Sequence, residues 1–319
     1  MLNILVSNIG FGEASSESLI KLQTLGNVTL NENGIRFKEH DFFEKISAVD
    51  VLIAGTEKIT RSIIEQAKNL KLIARVGVGV DNIDLDCARE NKISICYTPQ
   101  APAESVPEFT LSLILNLIKN IYISDRKMHG KIWHKPMGRM LSSMKVGIVG
   151  AGKIGAKVIS LVKLISPETE ILFYDPCLES VEHAVKCDIE QLFRESDIIT
   201  LHLPFNNQTK GLIDSGFLNM IKKGSYLINT SRGGIVDENA LYQSLKNNHL
   251  AGAAIDVFED EPYSGPLTDL DNCLTTSHMG SLTREVRALM EEQVVEDIEC
   301  FMNSYSLIRP LEGFNFYEE

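Results

Sequence analysis

What this sequence lacks narrows it first. Its six cysteines, Cys87, Cys96, Cys177, Cys187, Cys273 and Cys300, stand at wide spacings with no CxxC pair. That argues against a disulfide framework and against a zinc site, and the thiols read as reduced and buried. There is no basic excess: 31 lysines and arginines face 43 acidic residues, a formal charge of −12. A surface that tracks nucleic acid or an anionic membrane is therefore not expected. Long hydrophobic runs are absent too. The longest, Leu111 to Ile118, is broken by Ser112 and Asn116 and falls far short of the ~20 residues that cross a bilayer. The amino terminus has no basic region before its apolar run and no small-residue cleavage site after it, so it reads as a first strand. Together these absences predict a soluble, cytoplasmic protein that binds no metal, nucleic acid or membrane.

What is present is a chain of 319 residues, 44% hydrophobic and 23% charged, long enough for two domains and rich enough for real cores. Short β-branched runs alternate with helical-length segments throughout, the pattern of stacked βαβ units. The first series of strands is expected at Ile4 to Val6, Val28 to Leu30, Val51 to Ile53, Leu72 to Ala74 and Ile93 to Ile95. Helices between them are expected near Ser16 to Leu25, Arg61 to Lys68 and Asp84 to Asn91. A second series follows at Val146 to Val149, Ile171 to Tyr174, Ile198 to Leu203, Tyr226 to Ile228, Ala253 to Val257 and Leu274 to Thr276. Between the series, Ser105-Val-Pro-Glu108 has the form of a capping box with proline in the first turn. Phe109, Leu113, Leu117 and Ile121 behind it predict one long helix. A second long helix is expected over Thr283 to Met302. No repeat or low-complexity linker separates the two halves.

Gly150-Ala-Gly152-Lys-Ile-Gly155 has GxGxxG spacing. An apolar strand precedes it, and Ile154, Val158, Leu161, Val162 and Ile165 follow at helical spacing. The spacing has a physical reason. Gly150 permits a tight turn, Gly152 lets a pyrophosphate approach the backbone, and Gly155 lets helix and strand lie close. The helix start then offers unpaired N–H groups to phosphates. Asp175 ends the next strand 20 residues beyond Gly155, where a carboxylate would accept from ribose hydroxyls. With no arginine beside it, NAD is expected over NADP.

Three further groups sit at expected strand ends: Asn229-Thr-Ser-Arg232-Gly-Gly, Asp256-Val-Phe-Glu-Asp-Glu261-Pro262 and Thr276-Ser-His278-Met-Gly280. Singly, each reads as readily as a surface turn, a solvated charge run or a structural histidine. Together they offer an acid/base pair and an anion anchor.

These motifs, with Arg75-Val-Gly-Val-Gly-Val-Asp-Asn-Ile-Asp84 and the Gly130 to Trp133 stretch, resemble the D-isomer-specific 2-hydroxyacid dehydrogenases over nearly the whole chain. Within that family the 75–84 segment is closest to phosphoglycerate dehydrogenases. The resemblance implies an α/β protein of two doubly wound parallel-sheet domains with a cleft between them. Residues 1–99 and 283–319 would form a flavodoxin-like substrate domain, and residues 100–282 a Rossmann NAD domain, with the two long helices as crossings.

The resemblance further implies NAD contacts from Gly150, Gly152, Lys153, Ile154, Gly155, Asp175, Pro204, Thr209, Thr230, Ser231, Asp256 and Gly280. Asp256 would stand on the nicotinamide side. Arg232 would bind the substrate carboxylate, helped by N–H groups of Val76, Gly77, Val78 and Gly79. His278 would act as general base in oxidation and acid in reduction, oriented by Glu261. The partner would be a small 2-hydroxy or 2-keto acid, and the assembly a homodimer.

Three departures bear on this. Gly280-Ser281 replaces paired glycines, Pro107 replaces an alanine, and Ala54-Gly55-Thr56 stands where phosphoglycerate enzymes carry an arginine. Arg75, Lys135 and Arg139 are the cations that would have to replace that arginine if D-3-phosphoglycerate is the substrate. The competing expectations are a reductase of unphosphorylated acids of the glyoxylate and hydroxypyruvate type, and a non-catalytic NAD-sensing protein. With the sequence ending at Glu319, a regulatory carboxy-terminal domain of the kind some phosphoglycerate enzymes carry is not expected.

Overall fold

Four-residue aliphatic runs buried along their whole length, such as Val51-Leu-Ile-Ala54 and Val146-Gly-Ile-Val149, suit parallel strands covered by helices on both faces. They assemble into two such sheets. The computed structural model describes residues 1–32 and 34–316, and the chain divides into one unit of Met1–Pro102 with Ser281–Glu319 and another of Ala103–Gly280.

The first unit contains β1 (Leu2–Val6), β2 (Gly26–Leu30), β3 (Val51–Ala54), β4 (Leu72–Arg75) and β5 (Ser94–Tyr97). Between them run α1 (Ser16–Leu25), α2 (Glu39–Phe43), α3 (Arg61–Gln66) and α4 (Leu85–Glu90). The strands are parallel in the order β2-β1-β3-β4-β5, so connections leave in opposite directions between β1 and β3. That is the switch point, where open sheets take ligands.

The second unit contains α5 (Pro102–Lys119), α6 (Ile121–His129), β6 (Val146–Val149), α7 (Lys153–Ile165), β7 (Ile171–Tyr174), the short β8 (Val185–Lys186) and α8 (Ile189–Glu195). It continues with β9 (Ile198–Leu201), α9 (Ser215–Met220), β10 (Tyr226–Asn229), α10 (Glu238–Lys246), β11 (Gly252–Ile255) and β12 (Cys273–Thr275). Its parallel order is β12-β11-β10-β9-β6-β7-β8, with the switch between β6 and β9. The chain then returns to the first unit through α11 (Arg284–Met302), capped by the Thr283 hydroxyl.

The apolar residues of α11 (Val286, Met290, Val294, Ile298 and Phe301) join one core with Ile4, Val6, Val51, Ile53, Leu72 and Ala74. The alternate strand residues Leu5, Leu52, Ile73 and Ile95 face Phe42, Ile63, Ile64 and Cys87 on the other side. Two carboxylates are buried on α11. Glu291 accepts from Arg287 Nε at 2.6 Å and from the Gly12 N–H at 2.9 Å, tying the β1–α1 loop down. Asp297 takes the Ile308 and Arg309 N–H groups at 2.6 and 3.0 Å. The chain beyond lies along β5, with Ile95 N–H donating to Phe314 O and Leu311 N–H to Ile95 O.

Four expectations need correction. The helix expected to start at a Ser105–Glu108 capping box starts at Pro102, because proline already has the φ of a first helical turn. Ser105 is inside it, and its hydroxyl donates to Gly280 O at 3.0 Å. Pro107 is therefore interior and removes one rung of helical hydrogen bonding. The helix does not run on to Ile121: Asn120 takes left-handed φ of 53°, which asparagine tolerates, and α6 restarts the chain. The thiols are not uniformly buried, since Cys177 is exposed and Cys187 and Cys300 are half-buried. Among the described residues no helix is long and apolar enough to cross a membrane.

Candidate functional site

The glycine-rich turn leaves β6 at the switch point of the second unit. Gly150 has φ of +87°, and a Cβ there would lie 2.5 Å from His202 O, so only glycine fits between β6 and the chain leaving β9. At Gly155 a Cβ would lie 2.1 Å from Gly150 O, which fixes how closely α7 approaches the turn. Gly152 is different. It precedes α7 without a capping side chain, and a Cβ there would meet nothing within 4 Å. The first-turn N–H groups of Lys153, Ile154 and Gly155 have no intrahelical partner by construction, so the open cradle suits a phosphate. Asp175 follows β7 directly, with each oxygen accepting one N–H, from Ala151 at 2.9 Å and from Cys177 at 2.8 Å. Lone pairs remain on both oxygens for ribose hydroxyls. The residues present fit a dinucleotide.

His202 was not singled out from the sequence. Its N–H donates to Val149 O, which puts it beside the glycine turn, and its Nε2 pairs with Thr200 Oγ1 at 3.1 Å. Although the residue keeps partial exposure, desolvation pulls its imidazole down to about 3. Thr209 closes the neighbouring turn by donating to Pro204 O at 2.6 Å.

Arg232, Asp256 and His278 follow β10, β11 and β12, three adjacent strands. This adjacency brings the sequence-distant motifs together. His278 Nδ1 lies 3.0 Å from both Glu261 oxygens, and Glu261 also accepts the Phe258 N–H at 3.2 Å. His278 has φ of 55°, a left-handed conformation held only when surroundings over-determine it. Asp256 supplies that restraint. Its carbonyl takes the His278 N–H at 2.8 Å. Its buried carboxylate takes Thr276 Oγ1 at 2.6 Å, the Met279 N–H at 2.9 Å and the Gly280 N–H at 3.0 Å. Burial pushes the Asp256 carboxyl up, against the pull of those donors. With three donors already bound, Asp256 holds the histidine turn, a part that its expected nicotinamide-side contact did not include.

Arg232 is half-buried, and its Nη1 donates to Ser231 O at 2.7 Å. Asn229 organises this loop: its Oδ1 takes Ser231 N–H and Oγ, and its Nδ2 donates to Arg232 O. A Cβ on Gly233 would lie 2.0 Å from Phe258 backbone, so that glycine allows the arginine loop to rest on the segment that carries Glu261. Thr230 Oγ1 meets Thr110 Oγ1 at 3.0 Å. The roles of Asn229, Gly233 and Thr276 escaped the sequence reading: Gly233 rests on the Phe258 backbone and Thr276 on the Asp256 carboxylate, both far off in sequence, while Asn229 ties down its own loop through Ser231 and Arg232. The paired glycines after Arg232 were the one available signal.

In the first unit, the loop after β4 is more occupied than expected. Val76 N–H donates to Ala54 O at 2.9 Å and Gly77 N–H to Thr98 Oγ1 at 2.8 Å. The N–H groups of Val78 and Gly79 are the ones left without a partner among the described residues. Arg75 is 5% exposed, and its guanidinium turns back onto the Gly79 and Val76 carbonyls. It buttresses the loop, which corrects its reading as a cation for a phosphate. Arg139 is also unsuited. It lies 3.7 Å from Asp197, before β9, at the strand end opposite the glycine turn. Lys135 is exposed and stands over the Trp133 ring. Among the described residues no cluster of three His, Cys, Asp or Glu could hold a metal.

A family model described as the NAD binding domain of D-isomer specific 2-hydroxyacid dehydrogenases matches residues 111–280. The chain belongs to the D-isomer-specific 2-hydroxyacid dehydrogenase family. It is 37% identical over 271 residues to D-3-phosphoglycerate dehydrogenase of Methanocaldococcus jannaschii, covering 82% of this chain and 51% of that one. It is 35% identical over 269 residues to hydroxypyruvate reductase of Thermotoga maritima, covering 82% and 87%. The chain spans about half the length of the phosphoglycerate dehydrogenases it matches. The solved TT0316 protein of Thermus thermophilus superposes with a TM-score of 0.88 at 29% identity, over 97% of this chain and 100% of that one. The matched model is that family's NAD-binding domain, and the glycine turn lies within the matched residues.

Proposed function

We propose that this protein is an NAD-dependent oxidoreductase that interconverts a D-2-hydroxy acid and the corresponding 2-keto acid. The observation that carries the reading is the His278–Glu261 pair at 3.0 Å, set one strand away from the loop of Asp256. Bound nicotinamide accepts or supplies the hydride. With Nδ1 held by Glu261, Nε2 of His278 is the ring atom free to take the proton of the 2-hydroxyl in oxidation and to return it in reduction. Arg232 anchors the carboxylate through its planar fork. Asp256 keeps the histidine backbone in its left-handed turn.

The names of the relatives divide between a phosphorylated and an unphosphorylated substrate. The placements of Arg75 and Arg139 weaken support for the D-3-phosphoglycerate reading. A homodimer, which the resemblance and the apolar stripe of the 106–121 helix led one to expect, remains the proposed assembly, but Leu113, Ile114, Leu117 and Ile118 of that helix are spent in the unit's own core. Trp133 at 76% and Met137 at 94% exposure are the apolar side chains that a second copy would cover.

The test is oxidation of NADH, followed by its absorbance, with a panel of 2-keto acids. His278→Asn is expected to lower kcat about 100-fold or more and to leave NADH binding within about twofold. Tight NADH binding with no turnover of any acid would overturn the enzymatic reading and leave an NAD-responsive protein.

A further inference from the structure

The segment that carries Glu261 is also held from its far side, by α10. Arg232 and Glu261 stand on different loops of the second unit, and the two loops meet at the Phe258–Glu259 peptide. A Cβ on Gly233 would lie 2.0 Å from both Phe258 C and Phe258 O and 2.5 Å from Glu259 N, so the arginine loop is seated on that peptide. Two consecutive N–H groups here are each taken by a carboxylate. Phe258 N–H donates to Glu261 Oε1 at 3.2 Å, and Glu259 N–H donates to Glu238 Oε1 at 2.8 Å. One of these carboxylates orients His278; the other has no part in the reaction described above.

Glu238 is itself firmly placed. It is the first residue of α10, and the residue before it closes the helix start. Asp237 Oδ1 accepts the Asn239 and Ala240 N–H groups, both at 2.9 Å, and the Asp237 N–H donates to Ile213 O at 3.0 Å. Leu241 and Leu245 then bury α10 in the core of the unit. The position is a costly one for a charge. Burial pushes the Glu238 carboxyl up, and Glu259, Asp260 and Asp237 add repulsion, against the pull of the Glu259 N–H. A first-turn glutamate can complement the helix dipole while reaching into water. This one is half-buried and turned onto a loop 21 residues further along the chain. Choices that cost stability locally are expected at functional sites. Beyond Glu261 the loop is fixed again, since the Phe258 ring stacks on Tyr263 at 4.0 Å and the Tyr263 hydroxyl accepts the Leu267 N–H at 3.3 Å.

We propose that Glu238 is a positioning residue: by holding the Glu259 N–H it keeps Phe258 where its own N–H aims the Glu261 carboxylate at His278 Nδ1. The inference rests on the oxidoreductase reading above and adds to it the group that sets this aim. Without Glu238, the exposed Glu259–Asp260 stretch is released from α10, and the Phe258 N–H no longer restrains Glu261. A misplacement of about 1 Å in such a constellation costs up to about 100-fold in rate. Glu238 acts as a hydrogen-bond acceptor and not through its charge, because its neighbours are themselves acidic. Arg232 keeps its own support from Asn229, so the loss falls on proton transfer and spares the carboxylate anchor.

The experiment follows NADH oxidation by the full chain with a panel of 2-keto acids, beside NADH affinity and amide hydrogen exchange. Glu238→Ala should lower kcat about tenfold or more, with NADH Kd and keto-acid KM each within about threefold of native. Glu238→Gln keeps an acceptor oxygen in place and should keep kcat within about threefold. In a Glu261→Ala background no carboxylate is left to aim, so adding Glu238→Ala should cost less than about twofold further. Exchange read by mass spectrometry should quicken about tenfold in peptides spanning Phe258 to Glu261 of Glu238→Ala, while those of β11 and the carboxyl half of α10 stay native. An unchanged kcat in Glu238→Ala, an equal loss in Glu238→Gln, an NADH Kd that rises as far as kcat falls, or a full loss on top of Glu261→Ala would each overturn the proposal. If no acid turns over in the native chain, the oxidoreductase reading fails by itself, and exchange still decides the hold. Faster exchange in Glu238→Ala but not in Glu238→Gln supports it; unchanged exchange, or an increase spread through α10, refutes it.

Discussion

Two glycines three residues apart should answer the same substitution in opposite ways. At Gly152, φ is −62°, which any residue adopts, and an added methyl meets nothing within 4 Å. Alanine caps a helix less well than glycine, by about 0.5–1 kcal/mol, but it removes unfolded-chain freedom worth about 0.4–1 kcal/mol. The two cancel, and the melting temperature of Gly152→Ala should stay within about 2 °C of native. The methyl does, however, occupy the space a pyrophosphate needs. Intrusion of that size costs about 1–3 kcal/mol, so the NADH Kd should rise by about 30-fold, the middle of that range. At Gly155 the methyl would lie 2.1 Å from Gly150 O, a backbone atom that cannot step aside. Gly155→Ala should therefore lose several degrees of melting temperature before any cofactor is added. NADH fluorescence titration and thermal melts of both variants decide the matter. The cradle argument is refuted if Gly152→Ala binds NADH as the native protein does, or if it melts as early as Gly155→Ala.

His202, held near 3 by desolvation, has a folded pKa below its ordinary value of about 6.5. Between these two values only the unfolded chain gains the proton, so stability present above about pH 6.5 is lost as pH falls toward 3. Unfolding free energies from urea titrations at pH 7.5 and pH 5 should differ more for the native chain than for His202→Gln, by about 1 kcal/mol after screening, and an equal difference would sink the assignment. Light scattering at micromolar protein should give twice the 35.5 kDa chain mass, and Trp133→Lys with Met137→Lys should return it to a monomer; a native mass of one chain would remove the dimer.

Sheet formation was legible because it depends on short-range pattern. The Val146–Val149 and Ile171–Tyr174 strands were read to the residue, since each is a short run free of charged residues and ended by glycine or aspartate. The break at Asn120 was not, because a left-handed residue leaves the apolar spacing around it intact and only its φ betrays it. Chemistry followed the same rule. His278, Glu261 and Arg232 were legible as side chains that do acid/base and anion work. The roles of Asp256 and Arg75 were not: the donors to Asp256 come from the 276–280 segment, which reaches it only after β11 and β12 are placed side by side, and Arg75 folds back on carbonyls of its own loop, a conformation that residue type does not announce.

The first unit is finished by its own far end, and this sets an order of events during synthesis. One face of β1, β3 and β4 is covered by α11 together with α1, and β5 gains its outer neighbour only when Leu311 to Phe314 arrive. About 180 residues separate the two segments, so at 5–20 residues per second the opening sheet waits roughly 10–40 s. During that interval the part of its apolar face that α11 covers, and its open edge, are exposed, while the second unit, unbroken in the chain, has all its residues in hand before α11 emerges. The nascent chain therefore completes the nucleotide-binding unit first, and the earliest-made strands are the last to be sealed.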